Sequence, residues 1–160
     1  MNTSPGTYLR SQKILHWLIA ALIALQYLAF DSIGRAFGQA MRGAGLTYPT
    51  DVLGHIVVGG AVLVLMLARI ALRLRHGAPS APPEEPAPLQ WLGKAAHATF
   101  YALLLLLPIS GLVAWFLQLA GPAEVHEVMT TLLLGLIGLH VAAVVVHQFW
   151  WKTGLIRRMV

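Results

Sequence analysis

Four long stretches of the chain contain no Asp, Glu, Lys or Arg: residues 14–30, 52–68, 95–123 and 128–151, with lengths of 17, 17, 29 and 24. A helix crossing the hydrocarbon of a bilayer takes about 20 mostly apolar residues, with a range near 17–25. The first two stretches reach that length if their helices run past the flanking charges, because Lys13 and Arg69 can snorkel from the ends. The first lacks a clear small-x-small cleavage site after its apolar part, so it reads as a span and not as a signal peptide. The pattern predicts helices over about 9–30, 51–75, 91–117 and 124–151, an all-α membrane protein whose four transmembrane helices form one bundle domain over 1–160.

The connections carry a different composition. Residues 31–50 are Gly-rich and polar, and Pro49-Thr50-Asp51 is a helix-start signal. Residues 77–88 contain Pro79, Pro82, Pro83, Pro86 and Pro88 and read as an extended linker. Gly121-Pro122 reads as a short turn, with Glu124 suited to the first turn of the helix after it. Placed on this scheme, Arg10, Lys13, Arg69, Arg73, Arg75, Lys94, Lys152, Arg157 and Arg158 fall on one side of the membrane, nine cations against Arg35 and Arg42 on the other. Positive residues stay cytoplasmic, so both termini are expected at the cytoplasmic face of a multi-pass membrane protein. The aromatic run Phe149-Trp150-Trp151 suits the interface at the inner end of the fourth helix.

Composition narrows the function classes. Apolar residues make up 58% of the chain and charged residues 11%, against about a quarter charged in ordinary soluble domains. This excludes a disordered chain and disfavours a soluble globule, with lipid as the expected main solvent. The net charge of +5 is accounted for by membrane orientation, without a nucleic-acid partner. There is no cysteine, which removes disulfides, thiol catalysis, Cys zinc sites, iron–sulfur clusters and thioether-linked haem.

Seven histidines remain, and an ionisable group within a membrane span is a functional hypothesis by default. His126 and His140 are fourteen residues apart on the fourth predicted helix, almost four turns, so they share a face and stand about 21 Å apart along it. By depth, the outer one can meet His55 and the inner one His16. Two imidazoles from different helices at each level are what a haem with two axial histidines requires. Gly54, Gly59, Gly60, Gly135 and Gly138 would let a flat macrocycle approach the backbone. Arg69 repeats the fourteen-residue interval from His55 and is a candidate partner for an inner haem propionate, or else part of the positive-inside flank. Cross-helix hydrogen bonds and a haem-free proton or solute path are the competing readings of these histidines. His97 and His147 have no depth-matched partner, His147 suits the interface, and His76 falls in the solvated linker.

Taken together, Ile14-Leu15-His16-Trp17, Gly54-His55, Leu65-Met66-Leu67-Ala68-Arg69, Leu107-Pro108-Ile109-Ser110-Gly111-Leu112, His126-Glu127, Gly138-Leu139-His140-Val141-Ala142-Ala143, His147-Gln148-Phe149-Trp150 and Leu155-Ile156-Arg157-Arg158-Met159 run in the order of a known family. The chain resembles the bacterial two-haem cytochrome b561 family over nearly its whole length. The resemblance implies two non-covalent b haems, one between His16 and His140 and one between His55 and His126. It also implies single-electron relay between a periplasmic-side donor and the quinone pool, superoxide being one known donor in the family. Service as the membrane electron-transfer subunit of a separate redox partner protein is the alternative it implies. The connection over residues 118–125 is shorter than in superoxide-oxidising members.

Overall fold

The computed structural model describes residues 7–80 and 85–160; Pro82 and Pro83 of the predicted linker lie outside them. The described residues form helices and connections, in the order α1 Arg10–Ala29, α2 Ile33–Gln39, α3 Thr50–His76, α4 Ala87–Leu117 and α5 Ala120–Val145. Four helices, counting α5 through to Trp150, are long and apolar enough to cross a membrane.

Local chemistry sets the helix ends. Gln12, at the third position of α1, turns its Oε1 back to accept the Leu9 backbone N–H at 3.1 Å, which satisfies one of the donors that a helix start leaves open. Pro49 precedes α3, and Asp51 in its first turn accepts the Ser32 hydroxyl. A proline in the first turn of α4 costs nothing, because the missing N–H is one of the open donors there. Gln118 closes α4 in the left-handed region (φ 51°). The polypeptide then re-enters helix at Ala120, so Gly121-Pro122 forms part of the first turn of α5 and not the connection before it. At the other end, α5 widens into a π-helical turn over Val146–Trp150, followed by a short 3-10 turn at Leu155–Arg158.

The connection between α1 and α3 is more ordered than its polar composition implies. It folds as α2 and a π-helical turn, Ala40–Ala44, halted by Gly43 at φ 92° and Gly45 at φ 77°, a backbone region that side chains disfavour. Seven helical residues give too short a pattern to register as periodicity.

In the bundle α1 packs on α3, α3 on α4 and α4 on α5. The ring is drawn closed between α1 and α5 by Tyr27, whose hydroxyl donates to the Thr130 carbonyl at 2.6 Å. A central cluster joins Leu103 and Leu107 of α4 to Leu133 of α5, with Ile23 of α1 against it. A second cluster, Ala36, Val52 and Trp115, seats α2 over the adjoining ends of α3 and α4. Much of the remaining apolar surface, including Leu132, Leu134, Leu139 and Val141 on α5, points outward. In lipid that exposure carries no penalty, and helix association rests on close packing and hydrogen bonds.

Both ends of the described chain meet at one end of the bundle. Lys13 Nζ donates to the Val160 carbonyl at 2.6 Å and Trp17 Nε1 to that of Met159 at 2.9 Å. Arg158 reaches the Ser80 carbonyl at 2.7 Å. Gln12 Nε2 donates to the Gly77 carbonyl at 3.1 Å, fixing the start of α1 to the end of α3. The segments bearing the nine cations therefore gather at this end, opposite Arg35 and Arg42.

Candidate functional site

At the end of the bundle covered by α2, α3 presents His55 and α5 presents His126. The two imidazoles meet between these helices, their ring centres 6.1 Å apart with planes inclined at 62°. Two metal–imidazole bonds of about 2 Å on opposite sides of one ion, plus the half-width of each ring, place ring centres roughly 6 Å apart.

The second shell around His126 comes from α4. Its Nδ1 lies 2.8 Å from the Leu107 carbonyl oxygen and 3.3 Å from Ser110 Oγ, while Ser110 also donates to that carbonyl at 2.9 Å. A carbonyl can only accept, so Nδ1 carries the proton and Nε2 keeps its lone pair, the tautomer a metal-ligating histidine requires. The ring fits there because residue 111 is glycine. A Cβ on Gly111 would stand 3.0 Å from His126 Cε1 and 3.1 Å from Nδ1. His55 has Phe30 edge-on at 6.3 Å. Phe30 occupies the space left by Gly54, where a Cβ would come within 2.5 Å of its ring. His55 Nδ1 is buried and has no hydrogen-bond partner.

At the opposite level the structure gathers more than the expected pair. His16, near the start of α1, lies within charge–charge range of Arg69, His140 and His97. The ring facing His140 is that of His97, at 6.0 Å and 85°, and Phe100, one turn further along α4, meets it edge-on at 5.4 Å. His97 Nδ1 is 2.6 Å from the Gly93 carbonyl oxygen, so its Nε2 is likewise the unprotonated nitrogen. His16 has no ring contact with His140 among the described residues; its edge neighbour is Trp17, at 5.4 Å. Arg69 donates to the Gln12 carbonyl at 2.6 Å, one turn before His16.

Sequence spacing singled out neither His97 nor the Gly111 cradle. His97 had a readable signal, since it lies near the same end of the third predicted helix as His16 does of the first. Of the expected glycines, Gly60, Gly135 and Gly138 have no atom within 4 Å of a built Cβ, whereas Gly54 accommodates Phe30 and Gly59 accommodates Gln26. His147 pairs with Glu85 (3.4 Å) and Thr153 Oγ1 (3.2 Å) and stacks edge-on with Trp151 at 4.6 Å. His76 is exposed at the last turn of α3.

Among the described residues no group of three or more His, Cys, Asp or Glu could hold a metal ion. Pairs of imidazoles alone do not complete the tetrahedral set of a bare zinc ion. They do suit a cofactor that brings its own equatorial nitrogens, and the orphaned His55 Nδ1, the His126 tautomer and the Gly111 cradle fit an imidazole-ligated haem.

A helical membrane bundle with imidazoles paired between helices fits the class of haem-binding electron carriers. The family model for prokaryotic cytochrome b561 matches residues 7–160, and the chain belongs to that family. It is a multi-pass bacterial membrane protein for electron transfer, and the family implies haem b. It is similar to cytochrome b562 of Cereibacter sphaeroides, 33% identical over 99% of this chain and 98% of that protein. A Yersinia pestis protein named "Probable superoxide oxidase CybB" is 25% identical over 91% of this chain and 90% of its own length. Cytochrome b561 homolog 1 of Escherichia coli is 28% identical, covering 94% of each.

Proposed function

We propose that the chain carries two b haems, one between His55 and His126 and one between His16 and His140. Through them it relays single electrons from a donor at the periplasmic face to quinone at the cytoplasmic side. The observation that carries this reading is the His55–His126 pair: two imidazoles from different helices, 6.1 Å apart, one with its tautomer fixed for ligation through Nε2. When bound, the haem supplies one-electron chemistry, and the protein sets its potential and access. Held by two histidines each, the haems would supply outer-sphere electron transfer and not oxygen binding.

The chain's own residues support a direction. Arg69, with its guanidinium beside the start of α1, suits a haem propionate at the His16 level, and a fixed cation there favours the reduced state of the inner group. A shallow, open groove of about 620 Å³ runs along the start of α1 past Arg10, Lys13, Ile14, Trp17, Leu18 and Met159. It is apolar enough for a quinone ring and tail, and it borders the aromatic neighbour of a proposed ligand. At the other face, Arg35 and Arg42 are the cations available to attract an anionic donor such as superoxide. The name of the Yersinia relative favours superoxide as that donor. A redox partner protein is the second reading, favoured by the shortness of the α4–α5 connection, Gln118 and Leu119 alone.

A pyridine haemochrome assay on purified protein tests the central claim. Two b haems per chain are expected, with His55→Ala or His126→Ala removing one and His16→Ala or His140→Ala the other. Retention of two haems by all four variants would refute the assignment. Stopped-flow mixing of the oxidised protein with superoxide separates the donors, since slow, quinone-independent reduction points to a partner protein.

A further inference from the structure

An imidazole that ligates through Nε2 carries its proton on Nδ1, and inside a membrane that proton needs an acceptor. Among the described residues four histidines have one: His126 the Leu107 carbonyl, His97 that of Gly93, His76 that of Leu72, and His147 the Thr153 hydroxyl. His55 does not, although its Nδ1 is buried.

The residue beside it across the α1–α3 interface is Gln26. Its Nε2 donates to the His55 backbone carbonyl at 3.0 Å. Its Oε1 is also buried and also has no partner. The space for this amide comes from Gly59, one turn beyond His55, where a Cβ would stand 3.3 Å from Gln26 Nε2. One residue thus holds an unsatisfied donor, and the residue already bonded to it holds an unsatisfied acceptor.

We propose that Gln26 is the positioning residue of the His55 imidazole: its Oε1 accepts the Nδ1 proton while its Nε2 remains on the His55 carbonyl. Only side-chain rotation is needed, because the terminal torsion of glutamine is broad and the imidazole turns about its own bond to Cβ. The bond orients the ring, fixes Nε2 as the ligating nitrogen and raises its basicity, which favours ferric over ferrous iron. The inference rests on the two-haem reading.

The test uses the full chain, purified with its haems, in wild-type, Gln26→Met and Gln26→Glu forms. Haem content, a spectroelectrochemical titration and the low-spin ferric EPR signals are measured, the outer haem being the one lost in His126→Ala. Gln26→Met removes donor and acceptor together. Its outer potential should rise, by about 59 mV for a tenfold loss of ferric preference, and its outer EPR signal should move while the inner haem stays unchanged. Gln26→Glu restores an acceptor oxygen but not the N–H, so its outer EPR signal should return toward wild type.

Unchanged outer signals in Gln26→Met, or equal disturbance of both haems, would make Gln26 a packing residue and overturn the proposal. Failure of Gln26→Glu to restore the signal would assign the effect to the bond with the His55 carbonyl instead, with the same result. If Gln26→Met does not fold, the Gln26→Glu signal decides alone: wild-type-like supports the proposal, displaced refutes it. Fewer than two haems in the wild-type protein would instead refute the reading beneath it.

Discussion

Replacing Gly111 by alanine tests the outer site through its tightest contact. The added Cβ would stand 3.0 Å from His126 Cε1 and 3.1 Å from Nδ1, where carbon contacts settle near 3.5–4.0 Å. The imidazole must therefore retreat by roughly half an ångström. That motion stretches the 2.8 Å bond to the Leu107 carbonyl to about 3.3 Å, past the usual range for N–H···O. Overpacking costs about 1–3 kcal/mol, and the weakened bond adds on the order of 1 kcal/mol. The better helix propensity of alanine returns about 1 kcal/mol, but it acts on the helix whether or not haem is bound. A loss of 1–3 kcal/mol at the ligand corresponds to roughly 5- to 150-fold weaker retention of the outer haem. Neither residue touches the His16 level, so the inner haem should be unaffected. The assay is the rate of haem transfer from purified protein to an excess of a haem-scavenging globin, read beside the pyridine haemochrome count. Gly93→Ala is the control, on the same helix with nothing within 4 Å of the built Cβ. Gly111→Ala with two haems per chain and wild-type release rates would refute the cradle argument.

Other consequences can be checked one at a time. Tyr27→Phe removes the 2.6 Å bond to the Thr130 carbonyl and should lower stability by about 0.5–1.5 kcal/mol with both haems retained; an unchanged thermal midpoint would mean the bond contributes nothing. His97→Phe keeps a ring against His140 but removes its nitrogens, so two haems should remain; loss of the inner haem would make His97, and not His16, the ligand. Arg69→Leu should lower the inner haem potential and leave the outer one unchanged in a redox titration, whereas equal potentials before and after would remove Arg69 from the site. The double variant Arg35→Gln/Arg42→Gln should slow reduction by superoxide and flatten its salt dependence; a rate unchanged at every ionic strength would end the steering argument.

What was legible in the sequence follows from the geometry of a single helix. Rise and turn are fixed, so the charge-free runs give four spans and the interval from His126 to His140 gives two levels on one face. The same reasoning carried His55 and His126 to one level, where the structure brings their rings together. Lateral position is a different matter. Whether His16 or His97 faces His140 depends on how α1 and α4 are rotated and how far each leans toward α5, and no one-dimensional period records that. Depth alone would have admitted His97, which lies near the start of the third predicted helix as His16 does of the first, although the helix itself begins earlier, at Ala87.

The glycines show why the remainder was hidden. A glycine in a membrane helix signals close approach but not what approaches. Gly54 was read as room for a flat cofactor and makes room for Phe30; Gly59 makes room for Gln26; Gly111, known in the sequence only as part of a motif, makes room for an imidazole. In each case the neighbour sits on another helix. The Leu107 carbonyl is still less visible, since every residue has one, and it acts on His126 only because α4 and α5 pack along Leu103, Leu107 and Leu133. The same packing that forms the core therefore sets the tautomer of His126. A substitution that shifts this seam, such as Leu133→Ala, is accordingly expected to disturb the contacts of His126, seven residues away on α5, through the Leu107 carbonyl and not through the histidines themselves.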